Sequence, residues 1–305
     1  MNYKILIALF LASASLTSQA EQRWFEVELL VFERNTPIQD INEHLSSQEI
    51  VVDTGNSISI LNAEREAVCV EGETCLSKAN PTVITKSFFD AQGNNFRRLD
   101  SSQLQLIEQR EKLKKHANFN PVLHMVWQMP VESGRTAKPL HLFAGKNLAE
   151  QVARQKQAEH QLIDIAINTS DAQPTENLTA EALSEGASDD LVSNEIITDK
   201  WAIDGNFKIY LDHYLFIDSQ LIIRKAVTES IPQIAPSVEL IDDENDVQIA
   251  KQVQEIPQSK QAEQRTVVKE ILFDQNRRLR SEEIHYLDHP LMGIIVQIRK
   301  IPKQR

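Results

Sequence analysis

The feature that most constrains the fold is the stretch RWFEVELLVFERN, residues 23–35, whose side chains alternate strictly between two faces. One face carries only apolar residues: Phe25, Val27, Leu29 and Val31. A period of two, with many β-branched and aromatic residues, is typical of a β-strand. Later stretches repeat this character at short spacing along the chain. We therefore expect a largely antiparallel sheet.

The other elements follow from similar patterns. Strands are predicted at NPVLHMVWQMPV, KPLHLFAG, KWAIDGNFKIYLDHYLFIDSQLIIRK, TVVKEILFDQNRRLRS and GIIVQIRKI. The third of these should divide into two or three strands, with turn signals at Asp204-Gly205 and Asp218-Ser219. One helix is predicted in SSQLQLIEQREKLKKH, where basic residues gather at the end, and a second at residues 147–161. The predicted class is α+β, with a mainly antiparallel sheet and one or two packed helices.

Negative charge is concentrated in two parts of the chain. Residues 157–199 contain ten acidic residues and residues 226–250 contain six, and neither part has a Lys or Arg. The net charge of −12 belongs to these parts, and the remainder is neutral to mildly basic. Low hydrophobicity with clustered like charge predicts disorder or a loose helix. We assign residues 165–199 and 227–264 as disordered acidic inserts in a single α+β domain of residues 21–305. No basic stripe suited to nucleic acid is present.

The first twenty residues, MNYKILIALFLASASLTSQA, have the pattern of a secretory signal peptide. Lys4 precedes an apolar run at residues 5–12, and Ser18 and Ala20 occupy the positions that a signal peptidase reads. The run is far shorter than the ~20 residues that span a bilayer. Position 21 is Glu21 rather than cysteine, so no lipid attachment is expected. The mature chain is predicted to be exported and to start near Glu21.

The chain has two cysteines, Cys69 and Cys75, in CVEGETC. In an oxidising compartment, such a pair is expected to form a disulfide that closes a small loop. A metal site would need two further soft ligands, and none is near in sequence. Free or intermolecular thiols are the remaining alternative.

The stretch RRLRSEEIHYLDHPLMG, residues 277–293, holds the densest group of polar side chains. Arginine forks bind carboxylates at two points, and aromatic rings can cover the apolar faces of sugars. Alternation would place Arg278 and Arg280 on one face of a strand and Arg277 on the other. The alternative is an internal network that fixes the turn, in which arginines pair with Glu282, Glu283 and Asp288. The candidate ligand-binding residues are Arg277, Arg278, Arg280, Tyr286, Trp127 and Tyr214.

Metal binding and catalysis are less well supported by the same stretch. A metal held by His285, Asp288 and His289 would need further ligands, for which His213 and His124 are the candidates. The proline at position 290 also biases His289 away from a helix. The adjacent carboxylates at 282 and 283 diverge in regular structure, unlike the paired carboxylates of a glycoside hydrolase. We expect no metal, no cofactor and no enzymatic activity.

The individual histidines and the HYLDHP segment have structural interpretations. His124 and His213 each fall within an apolar stretch, where a histidine with satisfied hydrogen bonds in the core is expected. In HYLDHP, we expect Tyr286 to be buried and Asp288 to cap neighbouring N–H groups.

Four stretches carry a resemblance to a known family: RWFEVELLVFERN, NPVLHMVWQMP, WAIDGNFKIYLDHYLFIDSQLIIR and RRLRSEEIHYLDHPLMGIIVQI. In this order, they resemble the CsiV family of periplasmic proteins of gamma-proteobacteria. One position departs from the family pattern, in which arginine often follows the tryptophan of the second stretch, because Gln128 stands there. If that arginine contacts ligand in relatives, its role is absent or relocated in this chain.

The resemblance implies a non-enzymatic protein of the Gram-negative periplasm that binds peptidoglycan and supports cell-wall synthesis, cell shape and envelope integrity. It also implies a partner, an outer-membrane lipoprotein that activates a bifunctional penicillin-binding synthase. The alternative function is a protein–protein adaptor that acts through a sheet edge or an apolar patch and has no glycan contact.

Overall fold

The computed structural model describes residues 23–43, 45–61, 80–89, 96–170, 198–231 and 263–301. The predicted signal peptide and the predicted Cys69–Cys75 disulfide lie outside these residues. The strands are β1 Arg23–Arg34, β2 Phe88–Phe89, β3 Arg97–Arg98, β4 Phe119–Val131, β5 Leu140–Asn147, β6 Trp201–Asp212, β7 Tyr214–Ile231, β8 Glu263–Leu279, β9 Ile284–Asp288 and β10 Met292–Lys300. The α-helices are α1 Ile107–Lys115 and α2 Ala149–Ser170, and short 3-10 turns occupy Ile38–Asp40 and Ser101–Gln103.

The strands form two sheets, in which every pairing between named strands is antiparallel. The first sheet has the order β2-β3-β4-β1-β10-β9, and the second has the order β5-β6-β7-β8. One hydrophobic cluster contains residues of both sheets, such as Val27 and Ile294 of the first and Ile217 and Phe273 of the second. The facing sheets therefore bury a shared core, and the predicted α+β class with two helices is confirmed.

Strand β1 lies in the middle of the first sheet, between β4 and β10, and is buried on both faces. Its predicted apolar face looks into the core, and Leu30 and Phe32 on the other face are also buried. Leu104 and Leu106, immediately before α1, are buried as well. Segment 100–115 therefore helps to cover the outer face of this sheet. Contacts between α1 and β4 hold the helix there.

A buried polar cluster fixes this covering segment to the sheet. The Glu28 carboxylate is fully buried and accepts hydrogen bonds from the backbone N–H groups of Gln105 (2.8 Å) and Leu106 (2.7 Å). It also binds His124 Nε2 at 2.9 Å and Arg299 Nη1 at 2.7 Å. Burial raises the pKa of Glu28, but these hydrogen bonds outweigh it and hold the pKa below its ordinary value. The prediction that His124 is a satisfied core histidine is confirmed.

The predicted turns within residues 200–225 are misplaced. Asp218 and Ser219 lie inside β7, and the chain reverses instead at His213, an exposed residue with φ +64°. The prediction of a core histidine at His213 is therefore wrong. Gly205 lies within β6 at φ +149°, where a Cβ would collide with the carbonyl oxygen of Gln220. The glycine thus permits a close approach of two strands rather than a turn.

The margins of the predicted acidic inserts include regular structure. Helix α2 continues to Ser170, β7 continues to Ile231 and β8 begins at Glu263. The disorder of the remaining insert residues stays a prediction. Residues 171–197 and 232–262 lie outside the described part of the chain. Among the helices that the structure describes, none has the length and apolarity needed to cross a bilayer.

Candidate ligand-binding face

The outer face of the second sheet carries aromatic rings near the β6–β7 hairpin, of which one is exposed and two are partly buried. Alternate residues of these strands, such as Ile209, Leu215 and Ile217, are buried in the core. The residues between them therefore point outward, because successive strand side chains lie on opposite faces. The register places neighbouring strands side by side on this face, with Tyr210 opposite Phe216 and Phe216 opposite Arg278. We call this surface the aromatic face: Lys208, Tyr210, Tyr214, Phe216, Asn276 and Arg278.

Direct contacts hold two of the rings in place. The rings of Tyr210 and Phe216 are stacked, with centroids 5.2 Å apart and planes at 12°. Asn276 Nδ2 donates to the Tyr210 hydroxyl at 3.1 Å. Lys208 Nζ lies 5.4 Å from the centre of the Tyr210 ring and donates to the carbonyl of Gly134 at 2.7 Å. The rings are thus positioned by neighbouring strands rather than by a flexible loop.

Arg278 occupies the open side of the aromatic face. Its Cζ lies 4.6 Å from the centre of the Tyr214 ring, a cation–π distance. Tyr214 is 55% exposed, and Arg278 is also exposed. Within the described residues, Arg278 forms no ion pair and no side-chain hydrogen bond. The guanidinium is therefore oriented by a ring while its hydrogen-bond donors remain available.

The other two arginines are placed differently. Arg277 is exposed and lies on the opposite face of β8, across from Ile217 in the register. Arg280 follows the end of β8, and its Nη1 lies 3.7 Å from Glu283 Oε1 in an exposed ion pair. Glu282 accepts instead from the backbone N–H of Lys300 at 2.7 Å. In the described part of the chain, the predicted internal network is therefore limited to the pair of Arg280 and Glu283.

Tyr286 lies in β9 on the first sheet, away from the aromatic face. It is 44% exposed, so the prediction of a buried tyrosine is wrong. Arg34 Nη2 donates to the Tyr286 hydroxyl and to Asp288 Oδ1, each at 2.6 Å, and the hydroxyl donates to Asp288 at 2.5 Å. Partial burial and the hydrogen bond to Asp288 raise the pKa of Tyr286. Asp288 thus binds an arginine and a tyrosine, instead of the predicted cap.

Trp127 is fully buried in the core between the sheets. Its indole Nε1 donates to the sulfur of Met129 at 3.2 Å. Its ring is closed to a large ligand, because strands surround it. The six candidate residues therefore do not share one cleft: the structure brings Arg278 and Tyr214 together and separates them from Tyr286 and Trp127.

The histidines near the C-terminus are engaged in local contacts and do not converge. His285 Nε2 lies 3.1 Å from the backbone N of Arg280 and 3.0 Å from its carbonyl oxygen. His289 Nε2 contacts Glu43 Oε2 at 3.0 Å. Across the described ranges, no group of three His, Cys, Asp or Glu side chains is arranged to hold a metal.

Lys208, Tyr210 and Phe216 were missed as candidate residues. The alternation in KIYLDHYLF contains the signal, because these residues share the face of Tyr214. The sequence alone could not tell which face of these strands the other sheet covers.

A strand face that carries a stacked pair of rings, an exposed tyrosine and neighbouring cations has the chemistry to hold sugars and carboxylates. A comparison with family models matches residues 3–301 to the family described as "Peptidoglycan-binding protein, CsiV". Because the match covers nearly the whole chain, the protein belongs to the CsiV family. Comparisons with curated proteins and with solved structures gave no match.

Proposed function

We propose that the protein is a non-enzymatic periplasmic protein that binds peptidoglycan through the aromatic face and thereby supports cell-wall synthesis, cell shape and envelope integrity. Membership of a family described as peptidoglycan-binding supports the ligand. The polymer offers stem-peptide carboxylates for arginine and sugar rings for aromatic side chains. The observation that carries the choice of site is Arg278, which stacks on an exposed ring and has no carboxylate partner among the described residues.

The chemistry of the site assigns a role to each part. Arg278 would bind a stem-peptide carboxylate, with Arg280 as a second cation near the end of β8. Tyr214 would cover a sugar, and the stacked pair of Tyr210 and Phe216 would extend the apolar platform beside it. Arg277 lies on the other face of the strand and would contribute only general positive charge.

The test is a pull-down of the exported protein with purified sacculi. Replacing Arg278 and Arg280 together by glutamine should weaken binding at least tenfold, a loss of about 1.4 kcal/mol. Binding by the unmodified protein should also weaken with salt, since exposed charges are screened over ~10 Å at 0.1 M. Tyr214→Leu should reduce binding without removing its salt dependence.

Arg97→Gln is the matched control, because Arg97 is an exposed arginine that lies 5.9 Å from the Phe89 ring on the other sheet. It should bind sacculi as the unmodified protein does. The circular dichroism spectrum and melting temperature of all variants must match the parent. A folded Arg278/Arg280 variant with undiminished binding would exclude the aromatic face as the site.

The second candidate function is a protein–protein adaptor without glycan contact. It is favoured by an apolar patch on the edge strand β9, where Ile284 and Tyr286 are 50% and 44% exposed. The partner we propose, under either function, is an outer-membrane lipoprotein that activates a penicillin-binding synthase. Absence of sacculus binding, together with capture of the purified lipoprotein that Ile284→Asp abolishes, would favour the adaptor.

A further inference from the structure

Strand β8 is a long strand at the edge of the second sheet, with β7 on one side only. Two contacts show which of its backbone groups point away from β7. The N–H of Val268 donates to Gln155 Oε1 at 2.7 Å, and Glu270 exchanges two backbone hydrogen bonds, each 2.8 Å, with Ser46. The backbone N–H and C=O groups of successive residues point to opposite edges of a strand. The even-numbered residues of β8 therefore present these groups to the side away from β7.

Among the residues that the structure describes, these contacts to the outer side of the strand end at Glu270. No described residue makes a backbone hydrogen bond to the outer side of Leu272, Asp274, Asn276 or Arg278. All four side chains are exposed. Unpaired edges of this kind template pairing with another strand unless charged side chains (lysine above all), proline or a bulge block them. The sequence ILFDQNRRLR of residues 271–280 contains neither Lys nor Pro, and the register of β7 with β8 has no bulge. Its charged residues are of both signs, one acid among three arginines.

The other sheet edges in the described part of the chain are short or covered. Strand β2 has two residues and β9 has five. Strand β5 is bridged by Ile58, which donates to the carbonyl of Pro139 and accepts from the N–H of His141. Among the described strands, β8 is therefore the long edge strand with unpaired backbone groups.

The charged residues on this edge are placed symmetrically about Asn276, with an acid on one side and a base on the other. Asp274 and Arg278 lie two positions before and after Asn276, on the same face of the strand. If two copies of β8 pair antiparallel with Asn276 opposite Asn276, each Asp274 faces Arg278 of the other copy. The outward backbone groups of residues 274, 276 and 278 are then all in register for hydrogen bonding. Within the described residues, neither Asp274 nor Arg278 has an ion-pair partner that this pairing would have to displace.

We propose that this edge is a homodimer interface, in which two copies pair through β8 about a two-fold axis at Asn276. An isologous contact of this kind closes on itself and leaves no further edge to extend. The two second sheets become one continuous eight-stranded sheet, with an aromatic face on each half. The inference does not depend on the proposed ligand, and the five donors of Arg278 allow it to contact Asp274 of the second copy and a ligand together.

The paired segment is short, so the dimer should be weak and in exchange with monomer. Sedimentation velocity on the exported protein from about 1 to about 200 μM should show the sedimentation coefficient rising with concentration. Asp274→Arg places like charges opposite each other in both pairs and should raise the dissociation constant at least tenfold. Arg278→Asp should do the same. The double exchange Asp274→Arg with Arg278→Asp restores both pairs and should return the constant to within threefold of the parent.

Glu108→Arg is the control for a general effect of charge, because Glu108 is an exposed acid on helix α1, which packs against the first sheet. It should leave the dissociation constant unchanged. A cysteine at Asn276 should form an interchain disulfide on oxidation, since paired residues of this kind lie at about 5.5 Å between Cα atoms. A cysteine at Gln220, one strand further in on β7, should not.

The proposal is overturned if the protein stays monomeric throughout the concentration range. It is also overturned if the double exchange behaves like the two single variants, or if the cysteines at 276 and 220 cross-link equally. Because association is measured without sacculi, its failure leaves the peptidoglycan test untouched. Asp274→Arg lies outside the aromatic face, so its effect on sacculus binding reports separately on whether pairing assists binding.

Discussion

The most exacting test of the fold is replacement of Glu28 by glutamine, which is nearly isosteric but removes the charge and two acceptor sites. In the structure, one carboxylate oxygen binds Leu106 N–H, Gln105 N–H at 2.8 Å and His124. The other oxygen binds Arg299 at 2.7 Å and has a longer contact of 3.0 Å with the same Gln105 N–H. An amide keeps one oxygen and turns an NH₂ group toward donors on the other side.

The expected loss can be worked from these contacts. A hydrogen bond to a charged group contributes about 1.5–3 kcal/mol and one between neutral groups about 0.5–1.5 kcal/mol. Loss of the bond to Arg299 and of the longer of the two Gln105 contacts gives about 2–4 kcal/mol. Arg299 keeps Glu26 and Gln297 as partners, so it is not left as an unpaired buried charge. Urea unfolding at pH 7, followed by circular dichroism, measures the difference in free energy of unfolding.

The difference should also depend on pH. The pKa of Glu28 is lowered by folding, so its contribution is full above the unfolded value of about 4.3 and is lost as pH falls through the folded value. The difference in free energy of unfolding between the parent and Glu28→Gln should therefore become smaller as the pH is lowered below about 4.3. Glu108→Gln, at an exposed glutamate, should leave the unfolding midpoint unchanged. A loss below about 1 kcal/mol at pH 7, with no narrowing in acid, would refute the role given to this cluster.

Two further predictions concern packing and redox state. Gly293→Ala should destabilise the protein by about 1–3 kcal/mol, because a Cβ there would lie 2.8 Å from Tyr286 Cε2 and against the Phe32 ring. Thermal melting measures it, and an unchanged midpoint would contradict this packing. The sequence predicts that Cys69 and Cys75 are linked, so mass spectrometry of exported protein without reductant should find the two peptides joined. Free thiols at both positions would show that this prediction is wrong.

Alternation predicted the strands well, because period two depends on local geometry alone. It could not give the position of the hairpin turn, since Asp218-Ser219 is a stronger turn signal than His213 but is held in β7 by pairing on both sides. The candidate site was recovered in part for a related reason. Arg278 and Tyr214 are far apart in sequence and meet only because β7 and β8 are neighbours, whereas Trp127 was lost to the core once the second sheet covered its face.

The position of β10 has a consequence for how the chain reaches its fold. Strand β10 is the last of the described strands, yet it lies in the interior of the first sheet, between β1 and β9. Its Lys300 pairs with Phe25, near the start of β1. Contacts of such long sequence separation slow folding, because the chain must close its largest loop before they form. Until β10 arrives, one side of the apolar strand β1 is an open edge, and strands in that state are prone to aggregate. The time between synthesis and closure of this sheet is therefore when the chain most needs protection by chaperones.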